Sequence, residues 1–182
     1  MALYRCFDAA YPPAKAPAGM QAVLGYIGRQ GYTPHVWTLA EWQRFGGLRY
    51  FPCWVPDYRR DAASEADAAC DKALSLGWAS HQNPARAIIA DYEMEGENIR
   101  GWHEAFADKT ASRGFDAVAY GSASTVFHVG AEHLWVAAWD GRGSLPAGET
   151  VHAHQLSAFA KYDVSVVDDW LWARAGQGPR HG

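Results

Sequence analysis

Ala87-Ile88-Ile89-Ala90-Asp91-Tyr92-Glu93 is a short apolar run that ends in two acids, with Met94-Glu95-Gly96 behind it. Such a run, too short for a helix and rich in isoleucine, is expected to form a parallel strand buried on both faces, with its last residues at the rim of a sheet. Alternation along the strand then gives Asp91 and Glu93 the same face. Two carboxylates sharing one pocket push their pKa values apart, so that one stays protonated while the other stays charged, and glycoside hydrolysis requires that pairing. The competing expectation is a pair of surface acids opening the next helix at its positive dipole end.

Working outward, strands are expected over Leu3–Asp8, closed by Tyr11-Pro12-Pro13, and over Ala22–Ile27, ended by Gly28. Thr38 caps a helix carrying Leu39, Trp42 and Phe45, with Glu41 at the capping-box position and Gly46-Gly47 as the stop. A third strand, Leu48–Val55, is interrupted by Pro52, and an alanine-rich helix runs from Asp61 to Leu76. After the strand at Ala87–Glu93 comes a helix from about Asn98 to Ser112 and a fifth strand, Phe115–Tyr120. Strands alternating with helices imply a parallel sheet covered by helices.

Beyond Tyr120 the rhythm changes. Leu134–Trp139, Thr150–Leu156 and Tyr162–Val167 have the pattern of strands, but the gaps between them are too short for full helices. The fold class expected is therefore α/β, a single degenerate TIM-type (β/α) barrel of about five β/α units followed by three strands with few helices. Residues 1–174 form that domain and 175–182 a loose C-terminal tail. An open doubly wound sheet is the rival, but no glycine-rich phosphate loop follows the first strand.

At 182 residues the chain fits one domain able to bury a core. A net charge of −4 gives no general attraction for nucleic acid or anionic membrane, and no partner of either kind is expected. No apolar run is long enough for a membrane span, and no export signal is visible, which points to the cytoplasm unless the protein is released by lysis or carried on a particle. Cys6, Cys53 and Cys70 are odd in number and widely spaced, as expected of buried free thiols. Eight histidines raise a metal question, but His128, His133, His152 and His154 match no common zinc spacing, so neither metal nor cofactor is expected.

Catalytic groups of a barrel come from strand ends at one mouth. Asp8 ends the first strand, Asp91 and Glu93 the fourth, and Asp163 lies in the eighth, which closes against the first. Singly, Asp8 serves equally well as a turn cap and Asp163 as the start of a loop. The chain is 14% aromatic, and Tyr26, Trp54, Tyr120 and Trp139 fall near strand ends, where rings either pack the core or stack on sugars. Gln155 is placed to donate to a sugar hydroxyl or to satisfy a buried carbonyl.

Phe7-Asp8, Asp91-Tyr92-Glu93, Leu134-Trp135-Val136-Ala137, His154-Gln155 and Tyr162-Asp163-Val164-Ser165 follow in an order and spacing that resemble the family-25 glycoside hydrolases, the lysozyme-type muramidases. The opening Phe7-Asp8-Ala9-Ala10-Tyr11-Pro12 also looks like related glycoside-hydrolase-like domains of unknown function from actinobacteria and their phages. The resemblance spans residues 3 to 172. It implies that Glu93 is the general acid, that Asp91 orients an acetamido group or stabilises positive charge at the sugar, and that Asp8 and Asp163 tune both. It further implies a glycan substrate, the peptidoglycan of bacterial cell walls.

The loop after Asp8 departs from the family pattern, being proline-studded and lacking its serine-containing continuation. A second class of function is accordingly a non-catalytic glycan-binding or virion-associated structural module on the same barrel, with components of a phage particle as partners. A polysaccharide deacetylase would need Asp and His metal ligands at strand ends, and no convincing set is present.

Overall fold

The computed structural model describes residues 1–29, 35–78, 86–92, 99–147, 150–159 and 161–177. Eight strands close a barrel in which every neighbouring pair is hydrogen-bonded: β1 (Leu3–Asp8), β2 (Ala22–Arg29), β3 (Arg49–Val55), β4 (Ala87–Asp91), β5 (Asp116–Ser122), β6 (Leu134–Ala137), β7 (Val151–Ala158) and β8 (Asp163–Asp168). The degenerate (β/α) barrel read from the sequence is the fold.

Helices α1 (Leu39–Gln43), α2 (Ala62–Ser75), α3 (Arg100–Ser112) and α4 (Ala123–Val129) follow β2, β3, β4 and β5. Local chemistry sets several of their ends. Thr38 and Glu41 make the reciprocal capping box on α1, and the Asp61 carboxylate accepts the Ser64 amide on α2. Gly77 and Gly114, at φ +87° and +82°, turn the chain out of α2 and α3. Helix α4 was not expected from the sequence; it is capped by Ser122 and ended by Gly130 at φ +72°. The segment joining β1 to β2 contains no helix, nor do the described residues between β6 and β7, so these two parallel units lack the cover that α1 to α4 give the others.

The last strand corrects the parallel sheet expected from the sequence. β1 to β7 run parallel around the barrel, whereas β8 is antiparallel to both β7 and β1. Only residues 159–162 separate β7 from β8, enough for a hairpin and far short of a crossover. Reversal brings the first residue of β8, Asp163, beside the last residue of β1, Asp8. Beyond β8, α5 (Asp169–Arg174) is capped by Asp168, and Gly176–Gln177 form a short strand, β9, antiparallel to the start of β3. Ala175 is buried, so the barrel's contacts extend through Gln177 into the segment expected to be loose; residues 178–182 lie outside those described.

Alternation along the strands divides the core into two layers. Cys6, Leu24, Phe51, Ile89, Val118, Trp135, Ala153 and Val167 fill the barrel, while Phe7, Val23, Tyr50, Ile88 and Val136 face the helices. Trp135 is fully buried, with its ring edge-on to Phe51 at 5.7 Å and to Tyr120 at 6.0 Å, and its indole nitrogen donates to Ser165 Oγ at 3.2 Å. The three cysteines are buried free thiols. Among the described residues no helix is long and apolar enough to cross a membrane.

Candidate active site

Because β1 to β7 share a direction, their carboxyl ends meet at one mouth, and period two decides which side chains enter it. Asp8 follows Cys6 inward, Tyr26 follows Leu24, Asp91 follows Ile89, Tyr120 follows Val118, and Gln155 follows Ala153. Asp163 arrives from the reversed strand. A cavity of about 640 Å³ opens here, lined by Asp8, Tyr26, Tyr120, Trp139 and Asp163, together with side chains of the flanking loops.

The described carboxylates sit at two depths. Asp8 and Asp163 line the cavity; Asp91 is fully buried beneath it, covered by tyrosines. Tyr26 donates its hydroxyl to Asp91 Oδ2 at 3.2 Å, and Tyr58 donates to the Asp91 carbonyl at 3.5 Å. Burial, reinforced by the Asp91 charge, holds the Tyr26 phenol well above its ordinary pKa, so it remains a neutral donor. Tyr120 donates to Gln155 Oε1 at 2.9 Å, and the Nε2 of the same buried amide has no hydrogen-bond partner among the described residues. Gln155 is thus a buried acceptor that holds the Tyr120 hydroxyl in the floor.

Asp8 has the most unusual environment. Its Oδ2 is buried with no hydrogen-bond partner among the described residues. Burial, and secondarily the charge of Asp163, push its pKa up to about 8, so the carboxyl is held protonated near neutrality. The backbone next to it is fixed, since Trp37 donates its indole N–H to the Ala9 carbonyl at 3.2 Å. Asp163 is only half-buried, and its pKa is raised for the same first reason.

This protonation has a sign that stability measurements can read. Between about pH 4 and pH 8 the folded chain keeps the Asp8 proton that the unfolded chain gives up, so stability falls as pH rises through that window, by at most about 1.4 kcal/mol per unit. Asp8→Asn removes the titration. The variant is expected to gain on the parent as pH rises from 5 to 8, reaching an advantage on the order of 1–3 kcal/mol by urea unfolding. An equal difference at both pH values would show that Asp8 is not held protonated.

Of the aromatic residues anticipated at the mouth, Tyr26, Tyr120 and Trp139 are there and Trp54 is not. Trp54 succeeds the inward Cys53, and alternation turns it toward the helices, where its indole nitrogen donates to Glu65 Oε2 at 3.0 Å. Its ring lies over Gly28, where an added Cβ would approach to 2.0 Å. Tyr92, between the two acids of the motif, also points outward and shares a hydrogen bond with His103 Nδ1; burial lowers the His103 pKa to about 4 and keeps the ring neutral. Glu93 lies outside the described residues.

Several lining residues were not anticipated: Tyr11, Phe159, Lys161 and Tyr162. Tyr11, Trp139 and Phe159 are more than half exposed although large and apolar, and all three stand on this cavity. Phe159 stacks on Tyr162 at 5.0 Å across the β7–β8 hairpin. Their signal was available in the sequence as aromatic residues within connections that leave a barrel mouth. Trp139 adopts φ +46°, alone among the described non-glycine residues in having a positive φ. That conformation costs on the order of 1–3 kcal/mol and persists only where its surroundings fix it.

Neither a family model nor a curated protein matches the chain. Solved structures do. An uncharacterized protein of B. stearothermophilus superposes with a TM-score of 0.73 at 16% identity, over 94% of this chain and 99% of that one. The catalytic domain of endolysin ply40 from bacteriophage P40 of Listeria monocytogenes gives 0.65 at 14%, covering 95% and 97%. GHIP, a glycosyl hydrolase 25 of Streptococcus pneumoniae, gives 0.62 at 10%, covering 97% and 94%. At such identities the likeness is one of fold: the chain has the barrel of family-25 glycoside hydrolases and endolysins.

Proposed function

We propose that the protein is a glycoside hydrolase that cleaves β-linked amino-sugar polymer, the peptidoglycan of bacterial cell walls, by carboxylate general acid catalysis. The observation that carries this reading is the convergence of Asp8, Asp91 and Asp163 at one barrel mouth beneath a cavity walled by exposed aromatic rings. Sugar rings present C–H faces that stack on such rings, and a floor of buried acids in which Asp8 keeps its proton near neutrality suits carboxylate acid catalysis. The barrel shared with the endolysin domain supports the same assignment.

Within it, Glu93 has the parity of Asp91 in the sequence and is assigned the general acid. Asp91, held by Tyr26, orients the acetamido group or stabilises positive charge developing at the sugar. Asp8 and Asp163 tune these groups from the cavity wall. Tyr26, Tyr120 and Trp139 contact the glycan, with Gln155 supporting them from below, and no metal or organic cofactor enters the reaction. One observation favours a second reading, a non-catalytic glycan-binding or virion-associated module: Asp91 contributes nothing to the cavity surface, being fully buried under tyrosines.

Incubating purified cell walls with the protein and following turbidity together with released reducing ends tests the proposal. Clearing accompanied by new reducing ends is expected. Peptide products without them would exclude a muramidase, and oligosaccharide binding with no cleavage from acidic to neutral pH would establish the module.

A further inference from the structure

The strained rim residue Trp139 belongs to the β6–β7 connection, and that connection is tied down from three consecutive positions on β7, residues 154 to 156. The amides of Ala138 and Trp139 both donate to the Gln155 carbonyl, at 3.2 and 3.1 Å, and the Gly141 amide donates to the Leu156 carbonyl at 2.8 Å. These bonds fix the start of the loop. Its continuation is held by the neighbouring side chain. His154, 1% exposed on the outer face of β7, donates from Nδ1 to the Ser144 carbonyl at 2.8 Å, since a carbonyl only accepts. Its other ring nitrogen lies 3.4 Å from Asp140 Oδ1, one residue beyond Trp139. Asp140 Oδ1 also takes the Arg142 amide at 2.9 Å.

Residues 154 and 155 therefore work on opposite faces of one strand. Gln155 holds Tyr120 in the cavity floor, and His154 reaches around the outside to hold the loop whose first residues form the rim. A tryptophan 60% exposed in an unfavourable backbone conformation does not hold its place unaided.

We propose that His154 is a positioning residue that fixes the 138–147 loop and so presents Trp139 as the stacking platform of the cavity; its role toward ligand rests on the glycan-processing function proposed above. The pin itself is read without ligand. Arg142 is exposed, and trypsin cleavage after it, followed by mass spectrometry under native conditions, reports release of the loop. His154→Ala is expected to accelerate that cleavage at least about 10-fold, and His154→Asn, which restores a donor for the Ser144 carbonyl, to recover part of the protection.

Affinity for a chitin oligosaccharide supplies the second measurement. His154→Ala is expected to weaken it about 3- to 10-fold in the parent and less than about twofold in a Trp139→Ala background. Unchanged cleavage at Arg142, or equal affinity losses in the two backgrounds, would overturn the proposal. Should His154→Ala fail to fold, Asp140→Ala, on the exposed side of the same contact, is put through both measurements and judged by the same outcomes. If the parent binds no glycan and cleaves no cell wall, the proposed function falls, while the cleavage rate at Arg142 still decides whether His154 pins the loop.

Discussion

Replacing Glu93 by glutamine is expected to lower turnover on cell-wall substrate by at least about 100-fold while leaving the fold intact. Glutamine keeps the shape of the side chain and removes the titrating proton, so a general acid loses its function and a hydrogen-bonding residue does not. Stability should be unharmed, because a neutral amide two residues along the chain from Asp91 adds no charge to the acids. The parent rate should follow a bell-shaped pH profile belonging to the carboxylate cluster as a whole. A Glu93→Gln protein that releases reducing ends within threefold of the parent rate would remove Glu93 from the mechanism.

The largest structural effect is expected at Trp135. Truncation to alanine inside the closed barrel leaves a cavity that Phe51 and Tyr120 cannot fill from fixed strands, and it deprives Ser165 of the indole donor. A loss of about 3–5 kcal/mol follows from comparable core truncations, a large share of the roughly 5–15 kcal/mol of net stability typical of a domain. Urea unfolding should show the midpoint fall with an unchanged slope, and Tm should drop by roughly 6–20 °C. A loss below about 1 kcal/mol would mean that the interior repacks.

How much of this was legible beforehand depended on which physical signal each residue carries. Ile89 and Asp91 share a parity, so the inward direction of the acid could be read from the strand itself, and Asp8 after Cys6 follows the same rule. Trp54 was misplaced because proximity to a strand end was weighed without that parity, which turns it away from the mouth. The direction of β8 is not written in its residues, since alternation is alike in parallel and antiparallel strands; only the brevity of 159–162 carries it. Helix α4 has a serine cap and a terminal glycine but only seven residues, several β-branched, and tertiary packing rather than propensity sustains it. The elevated Asp8 pKa comes from burial among groups distant in sequence, which no local pattern records.

The reversal of β8 also governs how the chain reaches this structure in time. Leu3 pairs with Asp168, and Asp8 with Asp163, so the seam that closes the barrel joins the first strand to the eighth. The neighbouring β7–β8 hairpin, by contrast, needs only four intervening residues and forms locally. Contacts this remote are established late, after the entropy of a very long loop has been given up, and they place the domain among slow folders rather than among helical bundles. On a ribosome β1 waits for its second partner until the eighth strand has emerged, leaving one edge of the sheet open throughout synthesis. The same seam brings Asp8 beside Asp163, so the full set of cavity acids comes into existence only with the final act of folding.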